Sequence, residues 1–372
     1  VKILITGSNG FIGKNLCAHL EARGYLDLLK YDQHSEGYLL DQYAAECDFV
    51  FHLAGINRPV KEADFEENHS FTAELIEALN KSNKAVPVVM SSSIQAILEN
   101  PYGLSKKKAE ELVFDYGRTT GADIYVFRLP GVFGKWSSPN YNSVVATFCH
   151  NIAREIPITI NDPEAEVSLV YIDDVLNAFT AAIKGDVSRN GEYCEVTPIY
   201  HTTVGQLADM IQAFHNGRKK LMLASVGDPL IHKLYSTYLT YLPEEEFSYG
   251  LLAHSDDRGV FAECLKSTTA GQVSVNITRP GQTKGGHWHH TKTEKIIVVS
   301  GSAMIRFQKL GDDKVLLYPV SADNLEVVDI PPGYAHDLTN TGDSDMVMLV
   351  WANQIFDPLN PDTYPYKIGG RE

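Results

Sequence analysis

Over residues 1–185 short apolar, β-branched runs alternate with stretches of helical spacing. Residues 1–6 predict a buried strand. Residues 11–23 put Ile12, Leu16 and Leu20 on one helical face, with Gly24 as a C-terminal stop. Further strands are expected at 26–32, 49–54, 85–90 and 124–129. Pro87 weakens the third of these, because proline cannot donate to a ladder. A helix begins near Tyr102 and continues through 110–116. This alternation predicts a doubly wound α/β domain, a parallel sheet covered by helices on both faces.

From 204 to 243 the spacing is helical, and the apolar face of 234–242 is expected to pack on a neighbouring domain. Beyond Leu251 the period shortens to two. Residues 272–277, 295–299, 303–307, 326–330 and 346–351 predict short strands between Gly, Pro, Asp and Asn turns, as in an all-β sandwich or jelly roll. The expected division is 1–243 for the α/β domain, 244–250 for a linker and 251–372 for the β domain.

Length and composition narrow the partners. The 372 residues suffice for two cores. A formal net charge of −15 argues against nonspecific nucleic-acid binding, although a helix N-terminus can still hold a phosphate locally. Cys17, Cys47, Cys149, Cys194 and Cys264 are scattered and show no CxxC spacing, which points to a reducing compartment. No apolar run approaches the roughly 18 residues of a membrane span, and residues 1–5 are too short for a signal-peptide core. A cytoplasmic protein without membrane contact is expected.

Candidate chemistry lies in both halves. Gly7-Ser8-Asn9-Gly10-Phe11-Ile12-Gly13 falls between a predicted strand and a predicted helix, where glycines let the backbone approach a pyrophosphate. Gly7, Asn9, Gly10, Phe11, Ile12 and Gly13 are candidate cofactor contacts. Asp32, ending the second strand, suits the adenosine ribose hydroxyls and favours NADH; a turn-capping role fits it equally. Lys30 and His34 beside it would tolerate the 2′-phosphate of NADPH. Tyr102 and Lys106 lie one helical turn apart, so the cation is expected to lower the phenol pKa and to orient the cofactor ribose. Ser93, the last of three serines ending a strand, is the candidate hydroxyl that polarises a carbonyl.

These residues resemble the extended short-chain dehydrogenase/reductase family acting on nucleotide sugars, over roughly 1–240. The resemblance extends to Phe51-His52-Leu53-Ala54-Gly55, to Asn68, to Arg128-Leu129-Pro130-Gly131-Val132-Phe133-Gly134 and to Tyr171-Ile172-Asp173-Asp174-Val175. It implies cofactor contacts from Leu53, Ala54 and Gly55, a relay role for Asn68 and substrate contact from Arg128. Members that dehydrate carry an acidic pair after the catalytic hydroxyl; here Ile94-Gln95 stands there, which leaves reduction or epimerisation.

In the second half, His287, His289, Glu294 and His336 form a three-nitrogen, one-oxygen set suited to several divalent metals. The pattern resembles the cupin family over roughly 251–372, although Leu325 replaces the leading glycine of its second motif. The resemblance leans toward zinc, with manganese, iron and nickel open. Asp256-Asp257-Arg258-Gly259-Val260-Phe261-Ala262-Glu263 resembles the opening of the deoxy-sugar 3,5-epimerases and implies substrate contact from Arg258. His290, Lys284, Lys292 and Tyr334 are candidate acids or bases among which spacing does not choose.

Both halves in this order resemble a bifunctional enzyme family of capsular polysaccharide synthesis, with Asn140 and Asn142 in a matching segment at the expected substrate side. The resemblance implies a homodimer, NADPH, zinc, and a UDP-sugar epimerised at C3 and reduced at C4 to UDP-2-acetamido-2,6-dideoxy-L-talose. Asp32 speaks for NADH against that NADPH. Two other readings remain: an epimerase that regenerates its nicotinamide beside a purely structural metal, and a noncatalytic nucleotide-sugar sensor. The latter has no use for Ser93, Tyr102 and Lys106 together.

Overall fold

A computed structural model describes residues 1–57 and 61–369. It contains two compact units, Val1–Gln212 with Pro229–Pro243, and Ala213–Asp228 with Glu244–Glu372.

The first unit opens with β1 (Ile3–Thr6), α1 (Phe11–Ala22), β2 (Leu28–Tyr31), α2 (Tyr38–Glu46), β3 (Phe49–His52), α3 (Glu67–Lys81), β4 (Val88–Ser93), α4 (Pro101–Thr120) and β5 (Ile124–Leu129). It continues with β6 (Gly131–Phe133), α5 (Val144–Ala153), β7 (Glu166–Tyr171), α6 (Ile172–Ala182), β8 (Arg189–Asn190), β9 (Tyr193–Cys194) and β10 (Tyr200–Thr203), and α7 (Val204–Lys219) and α8 (Pro229–Leu239) follow. The main sheet has the order β2-β1-β3-β4-β5-β9-β8 and is parallel up to the antiparallel β8–β9 pair. A small sheet runs β10-β7-β6.

Alternation along β1 serves both helical layers. Ile3 and Ile5 pack with Leu16 and Leu20 of α1 and Val175 and Phe179 of α6. Leu4 packs with Leu75 and Leu79 of α3 and Val113 and Tyr116 of α4. This is the Rossmann-like α/β architecture expected, and the winding reverses between β1 and β3, where open α/β sheets bind ligands. Proline does not interrupt β4: Pro87 precedes it, and its carbonyl accepts the Val50 N–H at 2.9 Å.

The helical stretch 204–243 is not continuous. Residues 220–228 separate α7 from α8, and 221–223 pair with Lys266 through Leu223 N–H to Lys266 O at 2.8 Å and Lys266 N–H to Leu221 O at 2.7 Å. These backbone bonds give 213–228 to the second unit, a tie that helical periodicity cannot reveal.

The second unit is all-β in its strands: β11 (Ala253–Asp256), β12 (Gly259–Ser267), β13 (Gly271–Thr278), β14 (Thr283–Trp288), β15 (Glu294–Ser300), β16 (Ser302–Lys309), β17 (Val315–Ser321), β18 (Val328–Ile330), β19 (Tyr334–Asn340), β20 (Met346–Ala352) and β21 (Tyr364–Pro365). One sheet has the order β11-β12-β13-β20-β15-β18 and the other β17-β16-β19-β14-β21. Ile296, Val298 and Met348 of the first meet Ile305, Phe307 and Leu338 of the second in a buried core. Among the described residues no helix is long and apolar enough to cross a membrane.

Candidate functional site

The glycine motif is a turn built for close approach. Gly7 has φ +70°, and a Cβ there would lie 2.7 Å from the Ala54 nitrogen. A Cβ on Gly13 would lie 2.1 Å from the Gly7 carbonyl oxygen. The loop therefore packs directly on Leu53-Ala54 beyond β3, and α1 can start only where no side chain intervenes. Gly10 caps α1 without a side-chain bond, and no acidic residue sits in the first turn, so the helix N-terminus keeps its attraction for an anion. This cradle, which a Cβ would fill, fits a dinucleotide pyrophosphate. Beneath it His52 links Thr6 at 2.8 Å to Thr72 at 2.9 Å. Burial, reinforced by the Lys106 cation, pulls His52 down to about 3, so this imidazole is a neutral link.

At the end of β4 and the start of α4 the expected redox residues come together. The Asn100 side chain accepts the Gly103 N–H at 2.8 Å and Pro101 fills the first turn, which fixes where α4 begins. The Tyr102 hydroxyl donates to Asn57 Oδ1 at 3.0 Å. Burial pushes the phenol up and a hydrogen bond with Ser93 offsets part of the rise. This corrects the expected lowering by Lys106. The Lys106 ammonium lies beside Gly55: a Cβ on Gly55 would meet its Nζ at 2.6 Å and Asn68 Oδ1 at 3.0 Å. Burial lowers Lys106 to about 8, and the Glu110 carboxylate opposes that. Asn68 accepts the Ile56 N–H at 2.7 Å, donates to the Ile56 carbonyl at 3.0 Å and reaches Ser105 Oγ at 3.2 Å. Its amide thereby fixes the strand end that carries Gly55.

Asp32 fills the turn-capping role expected of it and also binds the glycine loop. Its carboxylate accepts the Asn9 side-chain amide, and also the His34 N–H at 2.8 Å as a turn cap. Lys30 is bound to Glu21 at 2.8 Å. Arg128, for which the resemblance implies substrate contact, has partners within the protein: Nε and Nη2 bind Glu110 at 3.0 and 2.6 Å, and the guanidinium lies 3.8 Å over the Tyr193 ring. Asn140 exchanges hydrogen bonds of 3.3 and 3.4 Å with Asn151, while Asn142 is exposed on the same loop before α5.

In the second unit, β14 and β19 set His287 opposite His336 in register. His289 follows β14, and Glu294 begins β15 on the other sheet. Glu294 Oε1 lies 3.6 Å from His289 Nε2, and its Oε2 lies 3.6 Å from His336 Nε2. Two ligands at tetrahedral positions on one zinc would be roughly 3.4 Å apart. All four donor atoms lie within 4.8 Å of one another. His289 Nδ1 faces the Asp362 carbonyl at 2.6 Å, while its buried Nε2 has no hydrogen-bond partner and faces the cluster. Burial and the two neighbouring imidazoles pull His287 down to about 4, so it is neutral and ready to ligate. Burial alone would raise Glu294; His289 and His336 more than offset it and hold its carboxyl well below the usual range. An orphaned buried nitrogen, neutral imidazole and an ionised carboxylate fit a divalent metal ion.

The cluster opens on a cavity of about 220 Å³ lined in part by Phe261, Lys284, His287, Lys292, Glu294 and His336. Of the four candidate acids and bases, Lys284 and Lys292 line it. Lys284 donates to Asn276 Oδ1 at 2.6 Å, Ile277 O at 2.9 Å and Val260 O at 3.1 Å, so all its protons are committed. Lys292 donates to Thr363 Oγ1 at 2.9 Å and Pro361 O at 3.3 Å. His290 packs edge-on against Trp288 and Tyr364. Arg258 is bound to Asp256 at 2.6 and 3.0 Å on the exposed β11–β12 turn, whereas Phe261 of the same motif reaches the cavity. Asn57, Glu110 and Asp362 were not anticipated from the sequence, since no local motif marks them.

Residues 3–196 match the NAD dependent epimerase/dehydratase family, and 254–364 match the polysaccharide biosynthesis C-terminal domain. The chain is 47% identical over 370 residues to the UDP-2-acetamido-2,6-beta-L-arabino-hexul-4-ose reductase of Pseudomonas aeruginosa, covering 99% of each. The capsular polysaccharide assembling protein CapF from Staphylococcus aureus matches with a TM-score of 0.94 and 43% identity, covering 99% of this chain and 100% of that one. A UDP-glucose 4-epimerase from Thermus thermophilus, in complex with NAD, shares the fold at 22% identity and a TM-score of 0.51, over 58% of this chain and 84% of that one. The chain therefore belongs to the NAD dependent epimerase/dehydratase family, here continued by a polysaccharide biosynthesis C-terminal domain.

Proposed function

We propose that the chain is a bifunctional nucleotide-sugar enzyme of surface-polysaccharide synthesis. It epimerises C3 of a UDP-2-acetamido-2,6-dideoxy-4-keto-hexose in a cupin-type β unit, then reduces C4 in the α/β unit to give UDP-2-acetamido-2,6-dideoxy-L-talose. The order follows from carbon acidity: the C3 proton is acidic only while C4 is a ketone, so inversion precedes reduction. The observation that carries the reading is the convergence of Ser93, Tyr102 and Lys106 beside the glycine cradle. The 47% identical relative, named as a reductase of a hexul-4-ose, supports the reaction class.

Gly7, Asn9, Gly10, Phe11, Ile12, Gly13, Leu53, Ala54 and Gly55 would hold the dinucleotide, and Lys106 its ribose. The bound reduced nicotinamide supplies the hydride for C4. Tyr102 delivers the proton to the C4 oxygen, and Ser93 donates a hydrogen bond to the same oxygen. Lys106 holds its ammonium beside Gly55, and Asn68 holds the Gly55–Ile56 backbone in place. NADPH is the cofactor that the family resemblance favours, with NADH kept open by Asp32. In the β unit His287, His289, Glu294 and His336 would hold a divalent ion, zinc by resemblance, which supplies Lewis acidity or anchors the fold. A homodimer is expected on the same resemblance, and a cytoplasmic location from the scattered cysteines.

The test is to incubate the protein with candidate UDP-4-keto sugars and NADPH or NADH, and to follow products by NMR. One reduced nicotinamide consumed per C4 alcohol formed, with inversion at C3, is the expected result. Product formed without net nicotinamide consumption would instead make it an epimerase that regenerates its cofactor.

A further inference from the structure

The ligands His287, Glu294 and His336 sit on strands, but His289 does not. It opens the irregular connection 289–293 between β14 and β15. What holds this connection comes from about seventy residues downstream. The Asp362 carboxylate accepts three consecutive backbone N–H groups: His290 at 2.9 Å on Oδ1, and Thr291 and Lys292 at 2.8 Å each on Oδ2. Oδ2 also accepts the Thr291 hydroxyl at 3.0 Å. The backbone carbonyl of the same residue faces His289 Nδ1 at 2.6 Å. Asp362 has φ +42°, in the left-handed region that aspartate enters more readily than most residues.

The residues around it extend the grip. Pro361 O and Thr363 Oγ1 hold the Lys292 ammonium. Tyr364 and Pro365 pair with Trp288 and His287, and the Tyr366 N–H donates to Gly286 O at 2.8 Å.

We propose that Asp362 is a positioning residue of the metal site, so that the site's affinity for its ion depends on a side chain that ligates nothing. The inference rests on the reading of His287, His289, Glu294 and His336 as metal ligands. A carbonyl opposite Nδ1 requires the proton there, which leaves Nε2 bare as the ligand atom. The carboxylate fixes the path of the chain from His289 to Glu294, and with it the separation of two ligands. The carbonyl survives any substitution at 362, but the three amide bonds that aim it at His289 Nδ1 are lost.

The test uses the full chain and the variants Asp362→Ala and Asp362→Asn. Each is stripped with a chelator and titrated with zinc against a chromophoric competitor, and the metal-free forms are melted in parallel. Zinc affinity should fall 10- to 100-fold in Asp362→Ala, the range for lost outer partners of a metal ligand. Asp362→Asn, which keeps an acceptor oxygen, should fall between. Cobalt loaded in place of zinc should give altered visible bands in Asp362→Ala. Unchanged zinc affinity with a lower melting temperature would make Asp362 a loop staple only and overturn the inference; if Asp362→Ala does not fold, the same comparison on Asp362→Asn decides. A wild-type chain that takes up no zinc would overturn the metal-site reading, and the inference with it.

Discussion

Arg128 on β5 and Glu110 on α4 form a two-point ion pair, Nε to Oε1 at 3.0 Å and Nη2 to Oε2 at 2.6 Å. Glu110 also accepts from Ser92 Oγ at 2.5 Å and from the Tyr193 hydroxyl at 3.3 Å. It therefore ties the strand that ends in Ser93 to the helix that carries Tyr102 and Lys106. It stands one turn beyond Lys106, where its negative charge favours the ammonium against burial.

Replacing Glu110 by Gln removes that support, and Lys106 should drop further below about 8. The active form of Lys106 is the cation, present below its pKa and lost as pH rises through it. The alkaline limb of kcat/KM for C4 reduction should therefore move to lower pH, by about one unit. A pH profile of the variant checks this; an unmoved limb would show that Glu110 acts on packing alone. Stability should also fall, on the order of 3 kcal/mol, because Arg128 loses its partner.

Tyr102→Phe should abolish oxidation of the reduced nicotinamide while cofactor binding persists, because only the proton donor is lost. Fluorescence titration of the cofactor and a turnover assay separate the two effects. Near-normal turnover would remove Tyr102 from the reaction.

Asp32→Ala should shift preference toward NADPH. The carboxylate sits on Asn9 of the glycine loop, where it would repel a 2′-phosphate. The ratio of kcat/KM for NADPH and NADH reads this directly, and an unchanged ratio would mean that Asp32 serves only its turn.

His289→Ala removes one of four proposed ligands and should strip or loosen the metal. The variant should fail to exchange the C3 proton in deuterated water, yet still reduce substrate already inverted at C3. Normal exchange with lost reduction would put the chemistry in the opposite units. Subunit mass should be measured alongside, since loss of both activities would point to dissociation of the proposed homodimer.

The residues legible in the sequence are those whose function needs neighbours a few positions away. Gly7 to Gly13 make one turn, Tyr102 and Lys106 share one helical face, and His287 and His289 flank one strand end. Partners supplied by the fold left no such trace. Glu110 meets Arg128 from another element, and Asp362 reaches the 289–293 connection from the far end of the chain. For the same reason β17 and β19 were not separately anticipated. Their ladders, not their own alternation, define them: β19 lies between β14 and β16, and β17 follows at the edge.

The start of α4 has a consequence for tolerance to insertion. Asn100 caps it, Pro101 fills its first turn, and a Cβ on Gly103 would lie 2.4 Å from the Gln95 and Leu98 carbonyl oxygens. The helix can thus neither slide nor begin elsewhere without a clash. Successive helical residues are turned by about 100° round the axis. One residue inserted between Asn100 and Tyr102 would swing the phenol away from Ser93 by that angle. An inserted chain would keep every residue type of the site and lose the alignment between phenol and serine, so this reaction is written in an angular phase as much as in side chains.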